Sequence, residues 1–469
     1  MEPSRQPLLR EIPSVNDLLK TETASTWLQG HPRSLVVDSI RVGLDQLRQA
    51  IINDTAGRCG RSHVTIESVL DRIGVVLAAR SRPKIVEAIN ATGIILHTAL
   101  GRAVYPACVV EDIVAPAKGY ATLAIDRESG LRSERDNRIE PILCELTGAE
   151  AACVVNNNAG ATLLVLAALC AGKEVIVSRG QLIEIGGSFR LPDVMAQSGA
   201  RMVEVGATNR THLRDYAAAI NDQTAGIFRA HPSNFRIVGF SKEVPTAELA
   251  ELARERSIYC IDDLGAGALI ELEQFGLGGE PTVQQSLAAG ADVALFSGDK
   301  LIGASQCGIL VGKAEAIARI RKHPLARALR PDKICLMVLE RTLALFRDIE
   351  QLKTHHPLYR MLATSTEQLK QQARKLAGQI EQIDRIGARA VEGFGYLGSG
   401  SLPDESLETW LVQVDPPSDP ARLARALRMD EACIFSRIED GCVMLDVRTL
   451  LPGQAELIAP AIRRCVTVD

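Results

Sequence analysis

The chain has 469 residues, 46% of them hydrophobic and 23% charged, the balance of a globular protein long enough for two or three domains. Its net charge of −4 excludes an overall cationic field for nucleic acid or acidic lipid, so any anionic partner must be held by a local cluster. No apolar stretch reaches the roughly 18 residues of a membrane-spanning helix. The N-terminus, "MEPSRQPLLREIPSVNDLL", has no apolar signal core, which predicts a cytoplasmic protein. The eleven cysteines are scattered, with no C-x-x-C pair and no metal-ligand spacing with the eight histidines. They are expected as buried small hydrophobes in a reducing compartment, and no metal is expected.

The first stretch, to about Ser62, reads as helices. "SVNDLLKTETASTWL" starts on a capping Ser14, and "RSLVVDSIRVGLDQLRQAII" repeats apolar residues at three- and four-residue steps. Eight basic residues (Arg5, Arg10, Lys20, Arg33, Arg41, Arg48, Arg58, Arg61) stand against seven acidic ones (Glu2, Glu11, Asp17, Glu22, Asp38, Asp45, Asp54). A separate helical domain over 1–65 is expected.

From about Pro83 to Arg330, β-rich runs alternate with alanine- and leucine-rich helical segments. The runs are "AACVVNN", "EVIVSRG", "RMVEVGA", "AGIFRAH", "SIYCIDD" and "DVALFSG". This is the rhythm of a mainly parallel sheet flanked by helices, within a core placed at 66–335. Ligands of such sheets bind outside the carboxyl ends of the strands. After about Cys335 a long helical stretch leads to a smaller α+β domain over 336–469, with "TWLVQVD", "ARLARALR" and "CVMLDVRTL". Its "GFGYLG" has the spacing of a dinucleotide loop, but "SGSLPDE" follows instead of a helix, so a glycine-rich hairpin or loop is expected.

Three features meet at the predicted strand ends. Lys300, in "ALFSGDKLIGASQCGILVG", follows a buried-looking strand, and Ser297 stands three residues before it. "NNNAGAT", from Asn156 to Thr162, turns from a strand into a helix and presents the backbone N–H groups of Asn158, Ala159 and Gly160 to an anion. "YCIDDLGAG" ends a strand on Asp262 and Asp263, of which strand alternation lets only one face the site. Asp263, next to "LGAG", is the choice. A lysine for an aldehyde, a phosphate cradle and an aspartate for a ring nitrogen are what pyridoxal 5'-phosphate requires. The chain order, anion loop then aspartate then lysine, is that of fold type I pyridoxal-phosphate enzymes. His231, in "AHPSNF", is at a strand end and faces the cofactor or is structural. The basic segment Lys313, Arg319, Arg321, Lys322, Arg327, Arg330 and Lys333, against Glu315 and Asp332, is the local cluster the net charge hides. Its guanidinium groups suit oxyanions held in bidentate fashion.

"INATGIILHTALGRA", "IEIGGSFRLPDVM", "DDLGAGALIEL", "FSGDKLIGASQCGILVGK" and "RALRPDK" resemble the signature blocks of bacterial selenocysteine synthases, the L-seryl-tRNA(Sec) selenium transferases, over nearly the whole chain. The resemblance implies conversion of seryl-tRNA(Sec) to selenocysteinyl-tRNA(Sec). The serine would lose its α-proton and hydroxyl to leave an aminoacrylyl group on the cofactor, to which selenium from selenophosphate is added. It implies catalytic roles for Lys300 and Asp299, and a substrate pocket lined by Arg102, Arg135, Arg327 and Arg330. It also implies tRNA recognition by the N-terminal helices and a homo-oligomeric ring of dimers, a decamer. Glu184, Arg190 and Arg179 fall in family blocks without an assigned role. Cys307, near the lysine, is either a reactive thiol or a packed one. Two rival readings remain: an ammonia-lyase of a small phosphorylated amino sugar, and a non-catalytic tRNA-binding or assembly protein.

Overall fold

Within the helical N-terminus, Ser14 accepts the Asp17 N–H at 3.2 Å as cap of the helix Val15–Leu19. Further helices span Arg5–Glu11, Glu22–Gly30, Arg33–Asn53 and Ile66–Ser81. The computed structural model describes residues 5–54, 59–133, 135, 138–186, 189–232, 235–417 and 419–466; Glu2 and Arg58 of the N-terminal charge balance lie outside them. Two compact units result, Met1–Glu87 and Ala88–Asp469. The first passes the boundary expected at residue 65. Val69, Ile73 and Leu77 of Ile66–Ser81 enter the same core as Val36, Ile40 and Leu44 of Arg33–Asn53. An amphipathic period says that a helix has a buried face, not which neighbour covers it.

The second unit is built on a seven-stranded sheet. Its strands are β1 (Ala151–Val155), β2 (Glu174–Ser178), β3 (Arg201–Val205), β4 (Thr224–Ala230), β5 (Tyr259–Gly265), β6 (Val293–Ser297) and β7 (Gly308–Gly312). The spatial order is β1-β7-β6-β5-β4-β2-β3, and only β7 runs antiparallel to its neighbours. Six of these strands are the six β-rich runs of the sequence; β7 is the addition. β1, β6 and β7 are buried along their whole length, which explains their unbroken apolar runs.

No separate compact unit begins near residue 335. Strand Ile89–Asn90 pairs in parallel with Ile434–Phe435, and the Arg448 guanidinium donates to the Met361 carbonyl oxygen at 2.7 Å. The C-terminal part carries a four-stranded antiparallel sheet in the order Gly387–Gly398, Ser401–Asp415, Cys442–Asp446, Arg437–Glu439. "GFGYLG" lies in the first of these strands and pairs with the second, a hairpin as expected. Among the described residues no helix is long and apolar enough to cross a membrane.

Candidate active site

The carboxyl ends of β1, β5 and β6 share one edge of the sheet. Gly308, at the start of β7, pairs with both Ser297 at the end of β6 and Val155 at the end of β1. A β-carbon at Gly308 would stand 2.3 Å from the Asn157 carbonyl oxygen, so the absence of a side chain lets the loop after β1 close over β7. That loop enters the helix Asn158–Cys170, whose cap is Asn157. The Asn157 side chain takes the Gly160 N–H at 2.7 Å. Of the three backbone groups expected to cradle an anion, those of Asn158 and Ala159 remain unpaired among the described residues, and that of Gly160 is engaged.

Lys300 sits in a turn just beyond β6 and is 6% exposed. Its turn is anchored from the far side: Tyr359 Oη donates to the Leu301 carbonyl at 2.7 Å, and His356 Nε2 lies 3.0 Å from the Ile302 carbonyl. Gly303 follows at φ 66°, where a β-carbon would meet the His356 ring at 2.1 Å. The Lys300 ammonium group takes no hydrogen bond and no salt bridge among the described residues, while its backbone carbonyl accepts the Gly303 N–H at 2.9 Å. Burial lowers its pKa; Asp263 opposes that, Arg102 adds to it, and Asp299 and Glu280 oppose it.

The two strand-end carboxylates have separate surroundings. Asp262 accepts from Arg229 at 2.9 Å and from Ser286 at 2.6 Å in a buried network that makes no use of Lys300. Asp263 accepts from Asn158 Nδ2 at 2.9 Å, Thr162 Oγ1 at 3.0 Å and the Gly265 N–H at 3.0 Å. Burial raises its pKa against those donors and the Lys300 charge. Asn158 thus joins the anion loop to Asp263 by its side chain.

Asp299 forms a 2.6 Å ion pair with Arg102. Ser297 is buried and its hydroxyl takes no partner among the described residues. Arg135 donates to the Pro331 carbonyl at 3.3 Å, at the end of "RALRP". Asn156 donates its backbone N–H to the Leu329 carbonyl at 2.8 Å, which draws the segment carrying Arg327 and Arg330 alongside the anion loop. Both arginines are exposed and take no hydrogen bond or ion pair among the described residues. The rest of the basic segment is mostly committed elsewhere: Lys313 to Asp292 at 2.6 Å, Arg321 to Glu140 at 2.6 Å, Arg319 to Tyr259, and Lys333 to backbone carbonyls. Glu184 and Arg190 pair with each other at 2.8 Å across a short hairpin, and Arg179 pairs with Glu204 at 3.1 Å.

Cys307 is fully buried, and its hydrogen bond to Cys335, then burial, push its thiol well up; it is a packed cysteine. His231 follows β4, donates its backbone N–H to the Asp263 carbonyl at 2.8 Å, and stands 3.7 Å from Glu280. Glu280, buried and acting on Lys300, was not singled out in the sequence. Its one local signal is a charged residue within "GLGGEPT", an otherwise apolar turn.

These residues fit pyridoxal 5'-phosphate: an unpaired buried lysine, an oriented buried aspartate, and free N–H groups at a helix N-terminus, all at one sheet edge. Sheet order and site together define a fold type I pyridoxal-phosphate-dependent enzyme. The fold is also that of a solved D-glucosaminate-6-phosphate ammonia-lyase, with TM-score 0.55, 20% identity, and coverage of 82% of this chain and 96% of that one.

Residues 88–451 match the L-seryl-tRNA selenium transferase family, and residues 9–48 match the selenocysteine synthase N-terminal family. The L-seryl-tRNA(Sec) selenium transferase of Geotalea daltonii is 43% identical over 462 residues, covering 98% of this chain and 99% of its own. That of Solidesulfovibrio magneticus is 45% identical over 467 residues, covering 97% of each. This chain belongs to the L-seryl-tRNA selenium transferase family.

Proposed function

We propose that this protein converts L-seryl-tRNA(Sec) to L-selenocysteinyl-tRNA(Sec), with pyridoxal 5'-phosphate held at Lys300 and selenophosphate as the selenium donor. The observation that carries this reading is the full-length similarity to selenium transferases, joined to a buried lysine without a partner beside Asp263. When bound, the cofactor supplies an electron sink that makes the serine α-proton and β-hydroxyl labile.

The chain supplies the rest. Asp263, oriented by Asn158 and Thr162, holds a proton at the ring nitrogen. The N–H groups of Asn158 and Ala159 and the Ser297 hydroxyl receive the phosphate, with Gly160 contributing the close turn and not its N–H. Lys300, its neutral form favoured mainly by burial, takes the α-proton. Asp299 stays a carboxylate in its ion pair with Arg102 and holds the lysine turn in place, so the proton that Lys300 takes is the one passed to the departing hydroxyl. Arg327 and Arg330 bind the selenophosphate oxyanion, and Arg135 orders the segment they sit on.

The near-neutral helices of the N-terminal unit recognise tRNA by shape and a few phosphate contacts, because electrostatic capture alone is unavailable to them. Assembly as a homo-oligomeric ring of dimers is part of the same reading. It is supported by large apolar side chains left in water, among them Val238 and Phe240 at 82% and 77% exposure. The small-molecule lyase reading is disfavoured by the match of residues 9–48 to a selenocysteine synthase N-terminal family.

The test records the visible absorption of the cofactor-loaded protein and of Lys300→Ala, then follows acylated tRNA with and without selenophosphate. A band lost in Lys300→Ala, and selenocysteinyl-tRNA formed only with both substrates, is the expected result. A band indifferent to seryl-tRNA would overturn the substrate, and no band would overturn the site.

A further inference from the structure

The turn that carries Lys300 rests on a thiol. Cys307 is fully buried, and its Sγ fills the space that Gly298 leaves open: a β-carbon on Gly298 would stand 2.3 Å from it. The Gly298 N–H donates to the Cys307 carbonyl at 2.9 Å, and the Ala304 N–H donates to the Gly298 carbonyl at 2.9 Å, so backbone bonds join Cys307 to the same turn. A second thiol reaches this place from a distant element. Cys335 lies in the first turn of the helix Lys333–Leu345, where Asp332 accepts its N–H at 2.7 Å as the cap. The Ser305 hydroxyl donates to the Cys335 carbonyl at 2.8 Å. The Cys335 Sγ stands 3.3 Å from that hydroxyl and 3.5 Å from the Gln306 carbonyl oxygen. Its thiol is also hydrogen-bonded to that of Cys307.

The two thiols are unlike. Cys335 is only half-buried and meets solvent, whereas Cys307 is sealed in. The hydrogen bond from Cys307, and then that from Ser305, lower the Cys335 pKa against burial, Asp332 and Asp299. Cys307, held well up, keeps its proton as the donor of that bond. A solvent-accessible sulfur stabilised as thiolate is the form that a hydroperoxide oxidises, and a thiol packed beside it is what resolves the product. In a reducing environment a bond between such a pair is transient and senses oxidant.

We propose that Cys307 and Cys335 are an oxidation site of this protein: a hydroperoxide joins them in a reversible disulfide, and that bond slows catalysis by disturbing the lysine turn. With hydrogen peroxide, the Cys335 sulfur attacks one oxygen, the O–O bond breaks, and a sulfenic acid and one water result. The Cys307 sulfur then attacks the Cys335 sulfur, the S–O bond breaks, and the hydroxyl leaves as a second water with the Cys307 proton. Two thiols and one peroxide give one disulfide and two waters; the sulfurs are oxidised and the peroxide oxygens reduced. A sulfur–sulfur bond of about 2 Å is shorter than a hydrogen bond between thiols, so the two segments must close on each other. Either Cys307 leaves its seat against Gly298, or the helix start that follows Arg330 is pulled in. The disulfide does not depend on the reaction catalysed; its effect on turnover rests on Lys300 being the cofactor lysine.

The test treats the full-length holoenzyme with hydrogen peroxide and removes the excess. Mass spectrometry of unreduced peptides then maps the thiols, and the rate of selenocysteinyl-tRNA formation is measured on the same sample. The expected result is a peptide pair linked through Cys307 and Cys335 and a rate lower by ~10²-fold, the scale of a catalytic group displaced by about 1 Å. Dithiothreitol should reverse both. Cys307→Ala and Cys335→Ser should each abolish the link and keep most of their rate after the same treatment. Peroxide that leaves both thiols free, or that joins either to another cysteine, would overturn the inference. So would a linked protein of undiminished rate, or a reversible loss of rate that persists in the variants. Should one variant fail to fold, the other carries the comparison. A holoenzyme preparation with no cofactor band, whatever the state of its thiols, would instead defeat the assignment of Lys300 itself.

Discussion

Arg102 Nη1 stands 2.6 Å from Asp299 Oδ2, and Asp299 is the residue immediately before Lys300. Arg102 adopts φ 64°, in the left-handed region, so its backbone is held in a strained form that places the guanidinium at the site. The ion pair ties the segment after Leu96 to the lysine turn. Arg102→Ala should therefore lower kcat for selenocysteinyl-tRNA formation by ~10²–10³-fold, the scale of one lost preorganised donor. Arg102→Lys should recover only part of it, because an ammonium does not reproduce the fork of a guanidinium. Single-turnover assays at saturating seryl-tRNA check both.

Asp262 and Asp263 are adjacent and should fail differently. Asp262→Ala strands the Arg229 charge, and Asp262 is 0% exposed, so the loss should be roughly 3–5 kcal/mol of stability. Denaturant titration of the protein without cofactor measures it. Asp263→Asn should keep most of the stability and lose activity by at least ~10²-fold, with weaker cofactor retention on dialysis.

Gly303→Ala tests the anchoring of the lysine turn. A β-carbon there meets the His356 ring at 2.1 Å on a backbone at φ 66°. The left-handed conformation alone costs about 1–2 kcal/mol, and the collision forces the turn or the helix Pro357–Ala363 to move. Cofactor affinity should fall more than global stability does, as comparison of a cofactor titration with thermal unfolding would show.

His356 gives the fold a pH dependence of its own. Burial lowers its pKa from 6.5 to about 4, so the folded chain favours the neutral ring. Its contribution is whole above 6.5 and is lost as pH falls toward about 4. Between about pH 7 and about pH 5 the protein should lose about 2 kcal/mol of stability through this residue. In His356→Gln the corresponding part of that slope should vanish in denaturant titrations at the two pH values.

The strands and the principal site residues were legible because each carries a local sign. Six apolar runs with polar ends gave six strands, and Lys300 and Asp263 stand where charge interrupts such a run. β7 was not read as a strand, since "GILVG" is short, flanked by glycines and runs against its neighbours. The end of the N-terminal unit was missed because helix Ile66–Ser81 has a buried face that fits either neighbour. Glu280, Arg229 and His356 were invisible for a different reason. Their significance lies in partners 33 to 54 residues away or in the lack of any, which no window of sequence displays; His356, for instance, meets the Ile302 carbonyl across 54 residues.

The antiparallel β7 has a consequence for how the protein is made. β1, which leads into the anion loop, touches the rest of the large sheet only through β7, a strand that emerges from the ribosome more than a hundred residues later. Until Gly312 has been synthesised, β1 has no place in that sheet and the anion loop lacks the strand it closes over. A nascent chain therefore cannot retain the cofactor early. Retention begins only when the second half of the sheet closes on the first, which makes cofactor capture a late event of synthesis and a natural marker that the catalytic unit is complete.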